Sequence, residues 1–204
     1  MPKFHADRGA DSAAPHFLLE RSARVVHPDS EGGQPVPPRN LQKWVDKALE
    51  LGALRARVIP VASVKTAEWV RWKCRFGCGG YGGCLTCPPH SPTPQDTARL
   101  LADYRWAVLF ESPRSGNKEI PWKLEREVFL AGHFKAFAMA SGPCHRCETC
   151  CLEVGSCRHP EEARPAMEAC GIDVFATVRR NGFEIEVLTS TRQKGHYYGM
   201  VLIE

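Results

Sequence analysis

The sequence predicts an α+β protein with an α/β-like order of elements: a small mixed sheet of about four or five strands, flanking helices and two cysteine-rich metal-binding loops. Short apolar runs of strand length alternate along the chain with segments of helical periodicity. Apolar residues make up 43% of the 204 residues and charged residues 25%, as in an ordinary globular domain. Nine of the ten cysteines fall into two groups between these elements, whereas core cysteines would be scattered.

The first part of the chain begins without any periodicity. Residues 1–40 contain SAAP and HPDSEGGQPVPP, and this composition predicts a flexible N-terminal arm. Residues 41–204 are predicted to form a single domain. Its first helix is predicted over 41–52, where apolar residues recur on one face and a glycine suits the end. A strand is predicted over 55–61 (RARVIPV), and 66–72 is ambiguous between helix and strand.

The middle of the chain alternates between helix and strand patterns. The predicted elements are, in order, a helix over 94–104, a strand over 106–111, a helix over 121–135 and a strand over 136–140. Thr93 can cap the first of these helices, since a threonine side chain accepts a backbone N–H and Pro94 suits the first turn. The strand over 106–111 (WAVLFE) is apolar almost throughout, which predicts burial on both faces.

The last part of the chain follows the second cysteine group. The predicted elements are, in order, a helix over 161–170, a helix over 174–180 and two closing strands over 184–188 and 198–203. Gly171 and Gly182 suit the ends of the two helices. Pairing of the two closing strands with each other is one possibility.

Charge and hydropathy exclude several classes of protein. The formal net charge is +4, without a basic run interleaved with aromatic residues, so we expect no nucleic-acid partner. No apolar window reaches about 18 residues, so we expect no membrane span. The N-terminus lacks an apolar secretion signal, which predicts a cytoplasmic protein. Thiols stay reduced in the cytoplasm, so clustered cysteines there indicate metal or redox chemistry.

The first cysteine group is the loop 74–89, with the pattern C-x3-C-x5-C-x2-C-P. Its candidate ligands are Cys74, Cys78, Cys84 and Cys87. Glycines in the loop permit positive φ angles and can aim backbone N–H groups at cluster sulfur atoms. The step from Cys87 to Pro88 is similar to the end of bacterial ferredoxin motifs. Zinc is the main alternative, but a zinc ribbon would show two C-x2-C pairs and this loop has one.

The second cysteine group is the loop 142–160. Its candidate ligands are Cys144, Cys147, Cys150 and Cys157. The first three form C-x2-C-x2-C, the opening of a bacterial ferredoxin motif, and the fourth is displaced to C-x6-C. Cys151 is expected to pack as a small side chain, with a role as an alternative ligand left open, and Cys170 is expected to lie in the core. Basic residues surround the group and could compensate cluster charge: His145, Arg146, Arg158, His159 and Arg164.

Three stretches of the sequence resemble one family of unknown function, described as predicted metal-binding proteins. They are CRFGCGGYGGCLTCPPHSPTP, GPCHRCETC and CRHPEEARPAMEACGIDVFATVRRNG, and the likeness covers residues 41–204. The resemblance implies a metal, with an iron–sulfur cluster expected, and no particular reaction. It also implies that counterparts of Cys74, Cys78 and Cys87 are kept more firmly than that of Cys84. A cluster on three cysteines would leave one iron open to a substrate.

Three functions remain open on the sequence. The first is an iron–sulfur protein, with two 4Fe–4S clusters, that transfers electrons to a redox partner protein. The second is an enzyme that uses an open iron for desulfuration, sulfur transfer or dehydration of a small-molecule substrate. The third is a zinc-stabilised structural protein. The sequence leaves open which loop ligates which cluster, whether Cys84 or Cys151 is a ligand, the reduction potential and the oligomeric state.

Overall fold

The computed structural model describes residues 35–190 and 192–204, so most of the predicted arm over 1–40 lies outside the described residues. A 3₁₀ turn, Arg39–Leu41, leads into the first helix. The helices are α1 Gln42–Glu50, α2 Glu68–Gly77, α3 Pro94–Leu101, α4 Glu119–Leu130 and α5 Val174–Arg180. The strands are β1 Arg55–Pro60, β2 Trp106–Ser112, β3 Phe137–Met139 and β4 Tyr197–Leu202.

The four strands form one sheet in the order β1–β2–β4–β3, which confirms the predicted α+β class. Strand β4 comes last in the chain but lies between β2 and β3, where Val201 pairs with Val108 and Ala138. All named strand pairs among the described residues are antiparallel, so the sheet is not mixed in direction. A parallel pairing occurs as an isolated bridge between Ala140 and Ala166.

Strand β2 is buried along its whole length, as its apolar run predicted. Its side chains alternate between two apolar clusters, because successive residues of a strand point to opposite faces. Trp106, Val108 and Phe110 join the cluster built with α1 and α4. Ala107 and Leu109 join the cluster that includes side chains of α3 and α5. The sheet therefore lies between two helical layers.

Helix α3 begins as the sequence predicted. The Thr93 hydroxyl accepts the backbone N–H of Asp96 at 3.1 Å, and the Asp96 carboxylate accepts the backbone N–H of Thr93 at 3.2 Å. Pro94 occupies the first turn, where its missing N–H costs no hydrogen bond. This reciprocal cap fixes the end of the first cysteine loop.

Two predicted elements are wrong. The helix predicted over 161–170 is reduced to a 3₁₀ turn, Glu168–Cys170, because the carbonyl of Pro165 instead accepts the N–H of Ala140 at the edge of β3. The strand predicted over 184–188 does not form. Its carbonyls bind side chains rather than a neighbouring strand: Tyr198 donates to Glu184 O at 2.6 Å.

None of the described helices combines the length and the apolar character that crossing a bilayer requires.

Candidate metal centre

The first cysteine group starts on a helix and not in a loop. The ambiguous segment over 66–72 forms most of α2, and Cys74 lies in its last turn while Cys78 caps its end. Arg71 of α2 binds the chain that follows this group. Its Nη1 donates to Ser91 Oγ at 2.8 Å and to Ala169 O at 2.7 Å. This arginine ties three segments together: helix α2, the chain after Cys87 and the 168–170 turn.

The rest of the first group is a series of tight turns. The backbone N–H of Cys87 donates to Cys84 O at 3.0 Å, and that of Gly82 donates to Pro88 O at 2.7 Å. Gly82 has a φ of +71°, a conformation that favours glycine. These turns bury Cys84 and Cys87, whereas Cys78 remains exposed.

The second cysteine group is a loop closed at its base by the sheet. Ala140, just after β3, donates its N–H to Pro165 O at 2.7 Å and accepts the N–H of Met167 at 2.9 Å. The last residues of the loop are fixed by Arg164, whose Nη2 and Nε each lie 2.6 Å from a carboxylate oxygen of Glu125 on α4. The cysteines of this loop are therefore held against the sheet edge and α4.

The two groups meet at Cys84. A cavity of about 20 Å³ is lined by Cys84 of the first group and by five cysteines of the second: Cys144, Cys147, Cys150, Cys151 and Cys157. The backbone N–H of Leu85, next to Cys84, donates to the sulfur of Cys150 at 3.4 Å. Cys84 therefore faces the second group, although the sequence pattern assigned it to the first.

Backbone N–H groups donate to several of the candidate sulfur atoms. Besides the bond to Cys150, the N–H of Gly80 donates to Cys78 Sγ at 3.4 Å and that of His159 donates to Cys157 Sγ at 3.3 Å. Such donors stabilise a thiolate, because they place partial positive charge beside the sulfur. The glycine-rich sequence of the first loop predicted donors of this kind.

The thiols of Cys84 and Cys87 differ in acidity. Burial acts to raise the pKa of Cys84, but hydrogen bonds from Thr86, the Cys144 N–H and the Cys87 thiol together lower that pKa. Burial and the hydrogen bond to Cys84 raise the pKa of Cys87 to about 12. Cys84 is therefore the more readily ionised thiol of the two, and the thiolate is the form of cysteine that binds metal.

The pKa values of two other candidate thiols are also raised. Burial is the largest cause that raises the pKa of Cys74 and of Cys144. The neighbouring thiol Cys78 raises the pKa of Cys74 further, and Cys84 raises that of Cys144. Neighbouring thiolates repel one another, and a bound cation would remove this repulsion and stabilise the ionised form of each.

Two half-buried charged residues at the junction carried no sequence signal. Lys118, just before α4, donates to the carbonyl of Gly142 at the start of the second loop. Burial lowers its pKa, while the groups that raise it are Cys144, Glu168, Cys87 and Cys84. Glu168, in the 168–170 turn, has an Oε2 atom that is buried without a hydrogen-bond partner. Neither residue belongs to a spaced motif, so only the fold brings them to the cysteines.

Two of the basic residues near the second group have carboxylate partners. Arg164 pairs with Glu125, and Arg146 Nη2 lies 2.6 Å from a carboxylate oxygen of Glu119 and 2.7 Å from one of Glu162. Their charge is therefore compensated locally, and they hold the loop in place. Lys118 is the cation whose pKa responds to the thiols.

The remaining cysteines have contacts of their own. Cys151 is buried, and its thiol donates to Ser156 O at 2.8 Å. Cys170 lies in the apolar core, where burial raises its pKa to about 12. Both contacts suit packed side chains, the role predicted for these two residues.

The eight predicted ligands therefore occupy three places. Cys144, Cys147, Cys150 and Cys157 line the small cavity together with Cys84. Cys74 and Cys78 line a second cavity, of about 510 Å³, together with other residues of α2. Cys87 lies between these places, as the hydrogen-bond partner of Cys84 and a neighbour of Cys78. Within residues 35–190 and 192–204, no group of three or more His, Cys, Asp or Glu side chains is arranged so that it could hold a metal ion.

Comparison with known proteins identifies the family. A sequence model described as "Predicted metal-binding protein (DUF2284)" matches residues 57–203, more than two thirds of the chain. The comparisons with curated proteins and with solved structures found no match. The match spans both cysteine groups and the sheet that holds them. The chain therefore belongs to this family of predicted metal-binding proteins, whose function is unknown.

Proposed function

We propose that this metal-binding protein holds two 4Fe–4S clusters on its cysteine groups and transfers electrons to a partner enzyme. The observation that carries the proposal is the set of five candidate ligands around one small cavity, with three further candidate ligands close by. A structural zinc ion takes four ligands, so these thiols exceed the needs of one zinc site. The ferredoxin-like spacing of Cys144, Cys147 and Cys150 favours iron–sulfur clusters.

The surroundings of the thiols also suit a cluster. Each thiolate-bound cluster carries negative charge, which backbone N–H donors and nearby cations stabilise. The N–H donors to Cys78, Cys150 and Cys157 and the half-buried Lys118 supply such groups. The side chains of Cys84 and Cys87 lie within hydrogen-bond distance, which would make the two clusters close neighbours, as rapid electron transfer requires.

A surface beside the first group suits a redox partner. Trp72 and Phe76 of α2 are 63% and 70% exposed, and their ring centroids lie 5.7 Å apart, shortly before Cys78 in the chain. Exposed aromatic residues are enriched at protein interfaces. Arg75 lies over the Phe76 ring and adds positive charge to this surface. We further propose that the protein works in the cytoplasm, where a reducing environment keeps cysteine thiols available as ligands.

A second candidate function is catalysis at an open iron. Cys84 faces the second group, which leaves Cys74, Cys78 and Cys87 as the remaining cysteines of the first. Cys74 and Cys78 line the cavity of about 510 Å³, large enough for a small molecule. An iron without a fourth thiolate there would meet whatever the cavity binds, as a catalytic zinc meets its substrate.

Metal analysis after anaerobic purification tests the proposal. We expect about eight irons and about eight acid-labile sulfides per chain, with EPR signals on reduction that belong to two clusters. Zinc without iron or sulfide would refute it and support a zinc-stabilised structural protein.

Cysteine variants separate the two functions. Cys147→Ser should lose about half of the iron, while Cys151→Ser is the matched control and should keep all of it, because serine can still donate to Ser156 O. Full iron content in Cys84→Ser would support the open iron. Loss of the cluster on Cys74, Cys78 and Cys87 in Cys84→Ser would support the closed electron carrier.

A further inference from the structure

One carboxylate lies buried at the end of the apolar run of β2. The side chain of Glu111 is only 8% exposed, and a charge in such surroundings is costly unless a partner compensates it. Arg55, its cross-strand neighbour in β1, supplies the compensation. The Arg55 Nε donates to Glu111 Oε2 at 2.8 Å, and Nη2 lies 2.7 Å from the same oxygen. One cation on one oxygen therefore balances the charge of Glu111.

The other oxygen of this carboxylate holds a histidine. His196, just before β4, has its Nδ1 atom 2.7 Å from Glu111 Oε1. The imidazole ring also stacks on Tyr198, with 6.5 Å between the centroids and 16° between the planes. Because an ionised carboxylate only accepts hydrogen bonds, Nδ1 carries a proton in the neutral ring as well as in the charged one. Glu111 thereby fixes Nε2 as the nitrogen that gains and loses the second proton.

This second nitrogen is accessible at a cavity. The His196 side chain is 38% exposed, and nothing within residues 35–190 and 192–204 bonds to its Nε2. The ring lines the cavity of about 510 Å³, whose walls include Trp69, Ile172 and Phe175. That volume is within the range of small-molecule sites. An unprotonated Nε2 at its wall accepts a hydrogen bond and can take a proton.

The charges around His196 do not favour a ligand of one sign. His196 also lines a neighbouring cavity of about 540 Å³. The cations near the ring or in the two linings are Arg55, Lys73 and Lys194, and the acids are Glu111, Glu168, Glu184 and Glu186. Arg55 and Glu111 compensate each other, and the two lysines and the 184 and 186 carboxylates are exposed and screened by solvent. A hydrogen-bond donor for Nε2 and a fit to the apolar walls therefore select the ligand.

We propose that His196 is an acid–base residue that takes a proton through Nε2 from the hydroxyl group of an apolar small molecule in the larger cavity, with Glu111 as its positioning residue. In this step the O–H bond breaks, its electron pair stays on the oxygen, and the proton forms an N–H bond at Nε2. Glu111 stays ionised and keeps its hydrogen bond with Nδ1, as the aspartate of a Ser-His-Asp triad does. The inference goes beyond electron transfer and requires no bound cluster.

Chemical modification of the full-length, anaerobically purified protein tests the accessible nitrogen. Diethyl pyrocarbonate attacks an unprotonated ring nitrogen, and peptide mass spectrometry gives the rate at each histidine. We expect His196 to react faster than His133, whose side chain is 17% exposed. His133 also has a carboxylate nearby, with its Nδ1 3.9 Å from Glu204, but it lies outside the cavity lining and is the internal control.

Phenol and anisole are matched probes, because they differ in the hydroxyl proton that Nε2 would accept. In ligand-observed NMR, phenol should bind in the millimolar range, as expected for a small fragment. It should slow the modification of His196 and leave that of His133 unchanged. Anisole should bind about fivefold more weakly, the effect of one hydrogen bond. Equal binding of the two probes, or no protection of His196 by phenol up to about 20 mM, would overturn the inference.

The Glu111→Gln variant tests the positioning role. Arg55 would keep the amide oxygen as its acceptor, so the amide nitrogen would face His196 and donate to Nδ1. Nε2 would then carry the ring proton and donate to phenol and anisole alike, and the preference for phenol should disappear. Glu186→Gln, an exposed change in the same lining, is the matched control and should keep the preference. An unchanged preference in Glu111→Gln would refute the role of Glu111, and the wild-type measurements decide the role of His196 even if this variant does not fold.

Iron and sulfide are measured on the same samples. A preference for phenol without iron would support His196 and refute the iron–sulfur proposal. Full iron content without a preference for phenol would do the reverse.

Discussion

The ion pair between Glu125 and Arg164 is buried, and its burial sets how much free energy of unfolding its loss should cost. The side chains are 13% and 14% exposed, and two bonds of 2.6 Å join them. Glu125 also accepts the backbone N–H of Ala138 in β3 at 2.6 Å. Replacing Glu125 by Gln would leave the Arg164 charge buried without its counterion. Breaking a buried pair in this way costs about 3–5 kcal/mol.

An exposed pair provides the matched control. Lys47 and Glu50 of α1 lie 2.7 Å apart, but their side chains are 35% and 65% exposed. Solvent screens such a pair, so Glu50→Gln should cost no more than about 1 kcal/mol. In a protein of this size, about 1 kcal/mol shifts the melting temperature by roughly 2–4 °C. We therefore expect a fall of about 6–20 °C for Glu125→Gln and of about 4 °C or less for Glu50→Gln.

Urea and thermal denaturation of the metal-loaded protein provide the assay, with all variants measured at one metal content. The double variant Glu125→Leu, Arg164→Met removes both charges, so it should recover much of the loss seen in Glu125→Gln. Equal stability of Glu125→Gln and Glu50→Gln would refute the reasoning. Because Arg164 fixes the second cysteine loop, Glu125→Gln should also lose iron more rapidly to a chelator.

Three further predictions concern single residues. Lys118→Met should lower the reduction potential of a bound cluster by tens of millivolts in an EPR-monitored titration, because a nearby, partly desolvated cation favours the reduced form, while Lys118→Arg should change it less. Gly171→Ala should lower the free energy of unfolding by more than about 1 kcal/mol, since φ is +76° and a Cβ would collide with Pro94. Asn181→Ala should cost about 1–3 kcal/mol in urea denaturation, because the buried amide donates to Ser63 Oγ and Thr177 O at 2.8 Å.

Local patterns in the sequence determined most of the elements. The cap at Thr93 and the apolar run of β2 predicted a helix start and a buried strand, because both depend on neighbouring residues. The predictions failed where distant contacts decided the outcome. The carbonyl of Pro165 bonds to Ala140 at the sheet edge, and Tyr198 engages the carbonyl of Glu184. Neither partner can be read from a local window.

The sequence by itself determined that this is an α+β protein of a metal-binding family, with two groups of closely spaced cysteines. The spacing of thiols within one loop is a local property, so it can be read from the chain. The tertiary structure decided how the groups combine. It turned Cys84 toward the second group, brought Lys118 to both, and opened a cavity beside Cys74 with Glu168 in its wall. These neighbours come from separate elements, and packing against the sheet brings them together.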